Sequence, residues 1–178
     1  MDALGQFHPQ IVHTPVALLV FSAFFAIAGR LFDREWVRKA AMLLLVFGFL
    51  GAFAAVQSGQ PAHRVPEHDQ GVPEEAIDTH AQAGRLTMWV AGAALVAYGA
   101  SARLPGGVAG AVAGLALALQ IAAAVFVGIT GFRGGKLTYE HGANVRVGGV
   151  LVKNPGAGRE ERAPRQQQAP SPGESVLK

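Results

Sequence analysis

Apolar residues in this chain come in four long blocks separated by short polar breaks. The first is uncharged from Ala3 to Gly29, apart from His8 and His13, and the second runs from Ala40 to about Ala62. The third, Leu86 to Ala102, is held between Arg85 and Arg103, and the fourth runs from Leu104 to Phe132. Crossing a hydrocarbon core of roughly 30 Å takes about 20 helical residues at 1.5 Å each. Blocks one, two and four meet that length. The third holds 17 residues, so its helix is expected to begin near His80. Arg85 would then sit just inside, snorkelling or pointing into the bundle. Spans are expected at about 11–31, 38–58, 81–102 and 108–131, within a transmembrane domain of residues 1–150.

The breaks have local causes. Asp33, Arg34, Glu35 and Arg38 interrupt the first apolar run, and Pro105-Gly106-Gly107 makes a tight turn between blocks three and four. Pro61, Pro66 and Pro73 mark a longer polar loop between blocks two and three. Short connections make neighbouring helices antiparallel. The expected fold is therefore all-α: a polytopic integral membrane protein, an up-down bundle of four transmembrane helices. Residues 151–178 are expected as a disordered polar tail, because from about Asn154 the chain is rich in Pro, Gly, Gln, Arg and Glu.

Composition sharpens this picture. Of 178 residues, 51% are hydrophobic and only 15% charged, with a mean hydropathy of +0.30. Four such blocks in so short a chain leave too little polar surface to cover them as buried helices of a soluble protein. The cysteine count is zero, which excludes disulfides, thiolate metal sites, iron–sulfur ligation and covalent haem attachment through this chain. The net charge of +3 is spread over loops and tail and does not suggest nucleic acid. No hydrolase constellation and no phosphate loop with a Lys-Ser/Thr ending is present, so no catalytic residue is assigned. The N-terminus has no basic segment before its apolar block, and the first helix is expected to be a permanent anchor rather than a cleaved signal.

Arg30, Arg34, Arg38 and Lys39 fill the first hairpin loop, while Arg64, Arg85, Arg133, Lys136 and Arg146 lie on the opposite side with the termini. The first helix usually dominates the positive-inside rule. The expected location is the bacterial inner membrane, with both termini extracytoplasmic. Gly106, Gly110 and Gly114 recur every four residues. Such spacing lets helices approach closely in lipid, either inside the bundle or as a homo-oligomer seam. Gln120, in the middle of the fourth block, is expected to hydrogen-bond across helices.

The histidines carry the main chemical hint. With four spans, His8, His13, His63, His68, His80 and His141 all fall on one side of the membrane. Imidazole is a common metal ligand and proton carrier, and also an ordinary capping group. His13 stands at the lip of an apolar helix, where an ionisable group is a functional candidate. Pro9 is expected to hold His8 out of helical geometry, and Pro15 suits the first turn of a helix starting near His13. A faint repeat pairs His13 and Ser58-Gly59 with His80 and Thr130-Gly131. Two hairpins related by an axis along the membrane normal would bring His13 and His80 toward each other. Facing histidines are suited to haem b, or to Zn²⁺ or Cu²⁺ with Glu140 or His141. Arg85 and Arg133 are at a level to meet haem propionates. The stretch from His63 to Asp69 is either a surface metal site or a solvated loop.

The opening segment Phe7-His8-Pro9-Gln10-Ile11-Val12-His13-Thr14-Pro15 resembles the start of a bacterial membrane family classed as domain of unknown function 2231. The resemblance recurs at Thr79-His80-Ala81 and from Thr130 to Gly142, and covers about residues 6–145. Thr14 departs from it, since the family usually has an aromatic residue there. The resemblance implies a four-helix membrane domain without established activity, with His8, His13, His80 and His141 at the family's histidine positions. Related domains are sometimes joined to Rieske or cytochrome c modules, which implies a redox setting. Three readings follow. The first is a redox-associated membrane component holding haem b or a metal ion through His8, His13, His80 and His141, with a quinone or membrane redox protein as partner. The second is a structural or assembly subunit without a cofactor. The third is a small transporter, disfavoured because only Gln120 is polar in mid-membrane.

Overall fold

A computed structural model describes residues 5–62 and 64–153. His63 and the tail expected beyond residue 154 lie outside the described residues. A 3₁₀ turn, Gly5–Phe7, runs into a short helix α1 (His8–Ile11) and then α2 (His13–Leu31). Helices α3 (Glu35–Ala62), α4 (Arg64–His68), α5 (Glu74–Ser101) and α6 (Gly106–Tyr139) follow. A small antiparallel hairpin, β1 (Arg146–Val147) and β2 (Val150–Leu151), closes the described chain.

Among the described residues, three helical stretches are long and apolar enough to cross a membrane: Gly5–Leu31, Glu35–His68 and Gly106–Tyr139. Helix α5 is as long as α3 but less apolar, because its first turns carry Glu74, Glu75, Asp78 and Arg85. The two acidic residues of its first turn suit the positive end of the helix dipole. Helix α6 has 34 residues, or about 51 Å, and outruns a hydrocarbon core by roughly 20 Å.

His8 is itself helical, contrary to the expectation that Pro9 excludes it. Pro9 stands in the first turn of α1, where its missing N–H is not needed. The preceding 3₁₀ turn leads straight into it. Helix α2 does begin at His13, with Pro15 buried in its first turn. Asp33 makes the turn to α3 at φ 47°, a conformation that Asp tolerates.

Helix α2 packs along α3, and α5 along α6; α2 also lies against α6, and α3 against α5. Each hairpin runs antiparallel. Ser22 meets Ala41 across the first, while Tyr98 meets Gln120 and Thr79 meets Arg133 across the second. Glycines make the α2–α3 seam. A Cβ on Gly48 would fall 2.7 Å from Leu19 Cδ2, and one on Gly29 would fall 2.9 Å from the Arg38 nitrogen. By contrast, nothing among the described residues lies within 4 Å of a Cβ built on Gly106, Gly110 or Gly114. These three face outward instead of lining an intramolecular contact.

Side-chain size is distributed inside out. Buried positions are mostly small: Ala23 and Ala26 on α2, Ala41 and Ala52 on α3, Ala91 and Ala94 on α5, Ala116 and Ala123 on α6. Large apolar groups point outward, with Phe24 65%, Trp89 69% and Val96 73% exposed. A water-soluble bundle does the reverse, whereas lipid-facing helices gain by close backbone approach inside and apolar bulk outside. The core also holds a polar knot. The fully buried Gln120 donates from Nε2 to Ser22 Oγ and accepts at Oε1 from Tyr98 OH at 3.0 Å. Ser22 Oγ in turn donates to Ala41 O at 2.9 Å. One side chain therefore ties together groups on all four long helices, as the position of Gln120 in its block suggests.

Candidate functional site at the histidine-bearing end

The 3₁₀ turn lies against the end of α3, where a Cβ on Gly5 would come within 3.1 Å of the Ala62 nitrogen. That seating brings His8 to α3. His8 Nδ1 is 2.9 Å from Ser58 Oγ, and Ser58 gives its own proton to Ala55 O at 3.1 Å. A hydroxyl has one proton, so His8 donates from Nδ1. His80 Nδ1 lies 3.1 Å from Thr130 O, and His13 Nδ1 lies 2.6 Å from Pro9 O. A carbonyl only accepts, so these rings also donate from Nδ1, and each neutral ring carries its lone pair on Nε2.

The two cross-helix bonds correspond in position, although His8 meets a side-chain hydroxyl and His80 a backbone carbonyl. Each spans 50 residues, and a shift of 72 positions carries His8 onto His80 and Ser58 onto Thr130 (80 − 8 and 130 − 58). The internal repeat is therefore real in register, with His8 rather than His13 as the partner of His80. His80 lies on the backbone of α6, since a Cβ on Gly134 would come within 2.9 Å of its Cε1. Thr87 Oγ1 and Thr130 Oγ1 lie 3.1 Å apart one level deeper, each also donating to a carbonyl of its own helix.

Beside His80, Arg133 donates to Thr79 O at 2.8 Å. A cavity of about 340 Å³ opens there between α5 and α6, lined among others by Glu75, Thr79, Arg133, Lys136, Glu140 and His141. Lys136 lies 3.7 Å from Glu140 and 5.5 Å over the Phe132 ring. The structure thus brings Arg133 and His141 together. His8 and His13 belong to the other hairpin, and α2 and α5 occupy opposite corners, each packed on α3 and α6. His13 is exposed, as is Arg85, which does not line the cavity. His68 is exposed at the end of α4. Among the described residues, no group of three or more His, Asp or Glu side chains is placed to hold a metal ion.

Sequence reasoning missed Gln70 and Asn144. The buried Gln70 amide donates to Gly142 O at 2.8 Å and to Val152 O, and accepts from the Asn144 backbone N–H at 2.8 Å. It pins the segment after α6 to the loop before α5. Asn144 takes φ 60° and donates to Ala62 O at 3.4 Å. The one available hint is the Gly142-Ala143-Asn144 turn, since Asn tolerates a left-handed backbone.

Apolar bulk outside, small and polar groups inside, and helices long enough to span define a multi-pass helical membrane protein in contact with lipid. The family model described as predicted membrane protein (DUF2231) matches residues 6–147, and the chain belongs to that family. No curated protein and no solved structure matches it.

Proposed function

We propose that this chain is a four-span structural or assembly component of the bacterial inner membrane, an up-down bundle whose two hairpins are latched at one end by histidine. The observation that carries this reading is the pair of bonds at corresponding positions, His8 to the Ser58 hydroxyl and His80 to the Thr130 carbonyl. Each ring joins the start of one hairpin arm to the end of the other. The fourth span is supported by α5, whose 28 residues reach about 42 Å. It packs between α3 and α6 and turns Leu86, Trp89 and Val96 outward. Arg30, Arg34, Arg38 and Lys39 favour a cytoplasmic first loop, with both termini extracytoplasmic. The outward Gly110 and Gly114 favour a homo-oligomer packed on α6.

A second reading has one specific observation in its favour. Donation from Nδ1 to a carbonyl is the outer-shell arrangement that orients a ligating Nε2. His13 and His80 make that bond, which supports a site for haem b or a metal ion drawn from His8, His13, His80 and His141. Arg133 would be the nearer partner for propionates and Arg85 the more remote one, with a quinone or membrane redox protein as electron partner. Purification in mild detergent from haem-replete cells, followed by an absorption spectrum and metal analysis, separates the two readings. Colourless, metal-free protein whose unfolding midpoint falls in both His8→Ala and His80→Ala is the expected result. A Soret band or stoichiometric metal that disappears in His80→Ala would overturn the structural reading.

A further inference from the structure

The opposite end of the bundle holds a second cavity, of about 570 Å³, to which all four long helices contribute. Its mouth is basic. Arg38 is paired with Asp33 at 2.9 Å and Lys39 with Glu35 at 2.8 Å. Those two pairs use both carboxylates that line it. Arg30 remains. Its half-buried guanidinium donates from one nitrogen to Ala113 O at 2.8 Å, and no carboxylate among the described residues lies within ion-pair distance of it. A guanidinium offers five N–H donors in a planar fork that matches phosphate. A half-buried charge at a bilayer boundary without a counter-ion is costly.

The walls say what kind of anion fits. Besides its charged groups the cavity is lined by Ala26, Met42, Tyr98 and Ala113, and the Tyr98 hydroxyl is bonded to Gln120. Met42 is also partly exposed outward, alongside Leu43 and Leu31 on the lipid-facing surface. The lining therefore combines charged and apolar groups, and Met42 belongs both to it and to the exposed apolar surface. Its volume is within the range of about 300–1,000 Å³ typical of ligand pockets. Basic pockets between membrane helices on the cytoplasmic side hold anionic headgroups.

We propose that this cavity binds an anionic phospholipid, with the phosphate on the Arg30 guanidinium and an acyl chain leaving past Met42. The site rests on the proposed orientation, which puts the first loop in the cytoplasm, and is independent of what the histidines do. With Arg38 and Lys39 paired to Asp33 and Glu35, the charge left over in the lining is that of Arg30, which favours an anionic over a zwitterionic headgroup.

The test uses the full chain in mixed micelles containing phosphatidylglycerol and phosphatidylcholine in equal amounts. Retained lipid is read by native mass spectrometry, and unfolding midpoints are measured with each lipid. Wild-type protein is expected to retain phosphatidylglycerol and to unfold later in its presence. Arg30→Gln is expected to lower that retention roughly tenfold, and Arg30→Lys less, because charge-assisted bonds to one oxyanion are lost. Equal retention of both lipids by the wild-type protein overturns the proposal, whether or not the variants fold. So does a shift of the midpoint by glycerol phosphate alone as large as that by phosphatidylglycerol, which would mark a free-phosphate site.

Discussion

Replacing Gln120 by Leu removes the amide at the centre of the bundle while keeping nearly its volume. Two interhelical bonds go with it, to Ser22 Oγ and from Tyr98 OH. Ser22 keeps its bond to Ala41 O, so only the Tyr98 hydroxyl loses its acceptor there. Cross-helix hydrogen bonds in membrane proteins average about 0.6 kcal/mol and reach about 1.7. Two of them give roughly 1.2 kcal/mol, with an upper bound of about 3.4. That corresponds to about an eightfold change in the folding equilibrium at the lower figure. The measurement is unfolding by increasing SDS mole fraction in mixed micelles, followed by helical circular dichroism. A double-mutant cycle with Tyr98→Phe isolates one bond and is expected to give a coupling of about 0.6 kcal/mol. If Gln120→Leu is as stable as wild type, or its effect simply adds to that of Tyr98→Phe, the knot does not hold the helices together.

Other substitutions test the packing and the latches. Gly48→Ala places a methyl against Leu19 and is expected to cost about 1–3 kcal/mol, whereas Gly110→Ala meets nothing among the described residues and should leave the unfolding midpoint of the monomer unchanged or raised. Gly114→Leu is expected to abolish self-association in analytical ultracentrifugation while leaving the monomer folded; an unchanged sedimentation profile refutes the α6 seam. His8→Ala and His80→Ala should each cost about 0.5–1.5 kcal/mol and, being on opposite corners, should add in the double variant. Gln70→Ala releases the segment from Gly142 to Val152, which limited proteolysis should then cut faster than in wild type, with the helical bundle intact.

Much of the bundle was legible because lipid imposes a simple demand: long uncharged runs between polar breaks. Residue identity reveals less about which face turns inward. The spacing of Gly106, Gly110 and Gly114 marks a face capable of close approach but not the helix that uses it. Buried positions on α6 are Ala116, Gln120, Ala123 and Val127. Stepping two residues from Gly114 to Ala116 rotates the helix by about 200°, so the glycines fall on the far side. The close intramolecular contacts are instead at Gly29, Gly48 and Gly51, where the α2–α3 pairing decides.

The site was half legible for a similar reason. The histidine positions and the Ser58 and Thr130 closures stood out in the sequence, but the pairing favoured His13, which starts the uninterrupted helix. Because α1 continues nearly into α2, His8 and His13 are five residues apart and point about 140° from one another. Only His8 faces α3. Gln70 and Asn144 left no periodic trace, since loop amides answer to backbone groups whose positions are set by the folded chain.

The 72-residue shift has a further meaning when followed into the core. It carries Leu19 onto Ala91 and Gly48 onto Gln120, and all four are buried. The first hairpin sets a large residue on its leading arm against a glycine; the second has a small residue and a long amide at the corresponding positions. Bulk has traded sides between the halves. A tandem of two first hairpins would place glycine where Gln120 reaches Ser22 and Tyr98, and nothing would cross the centre. The halves share a plan yet are not interchangeable, so each hairpin recognises the other rather than a copy of itself.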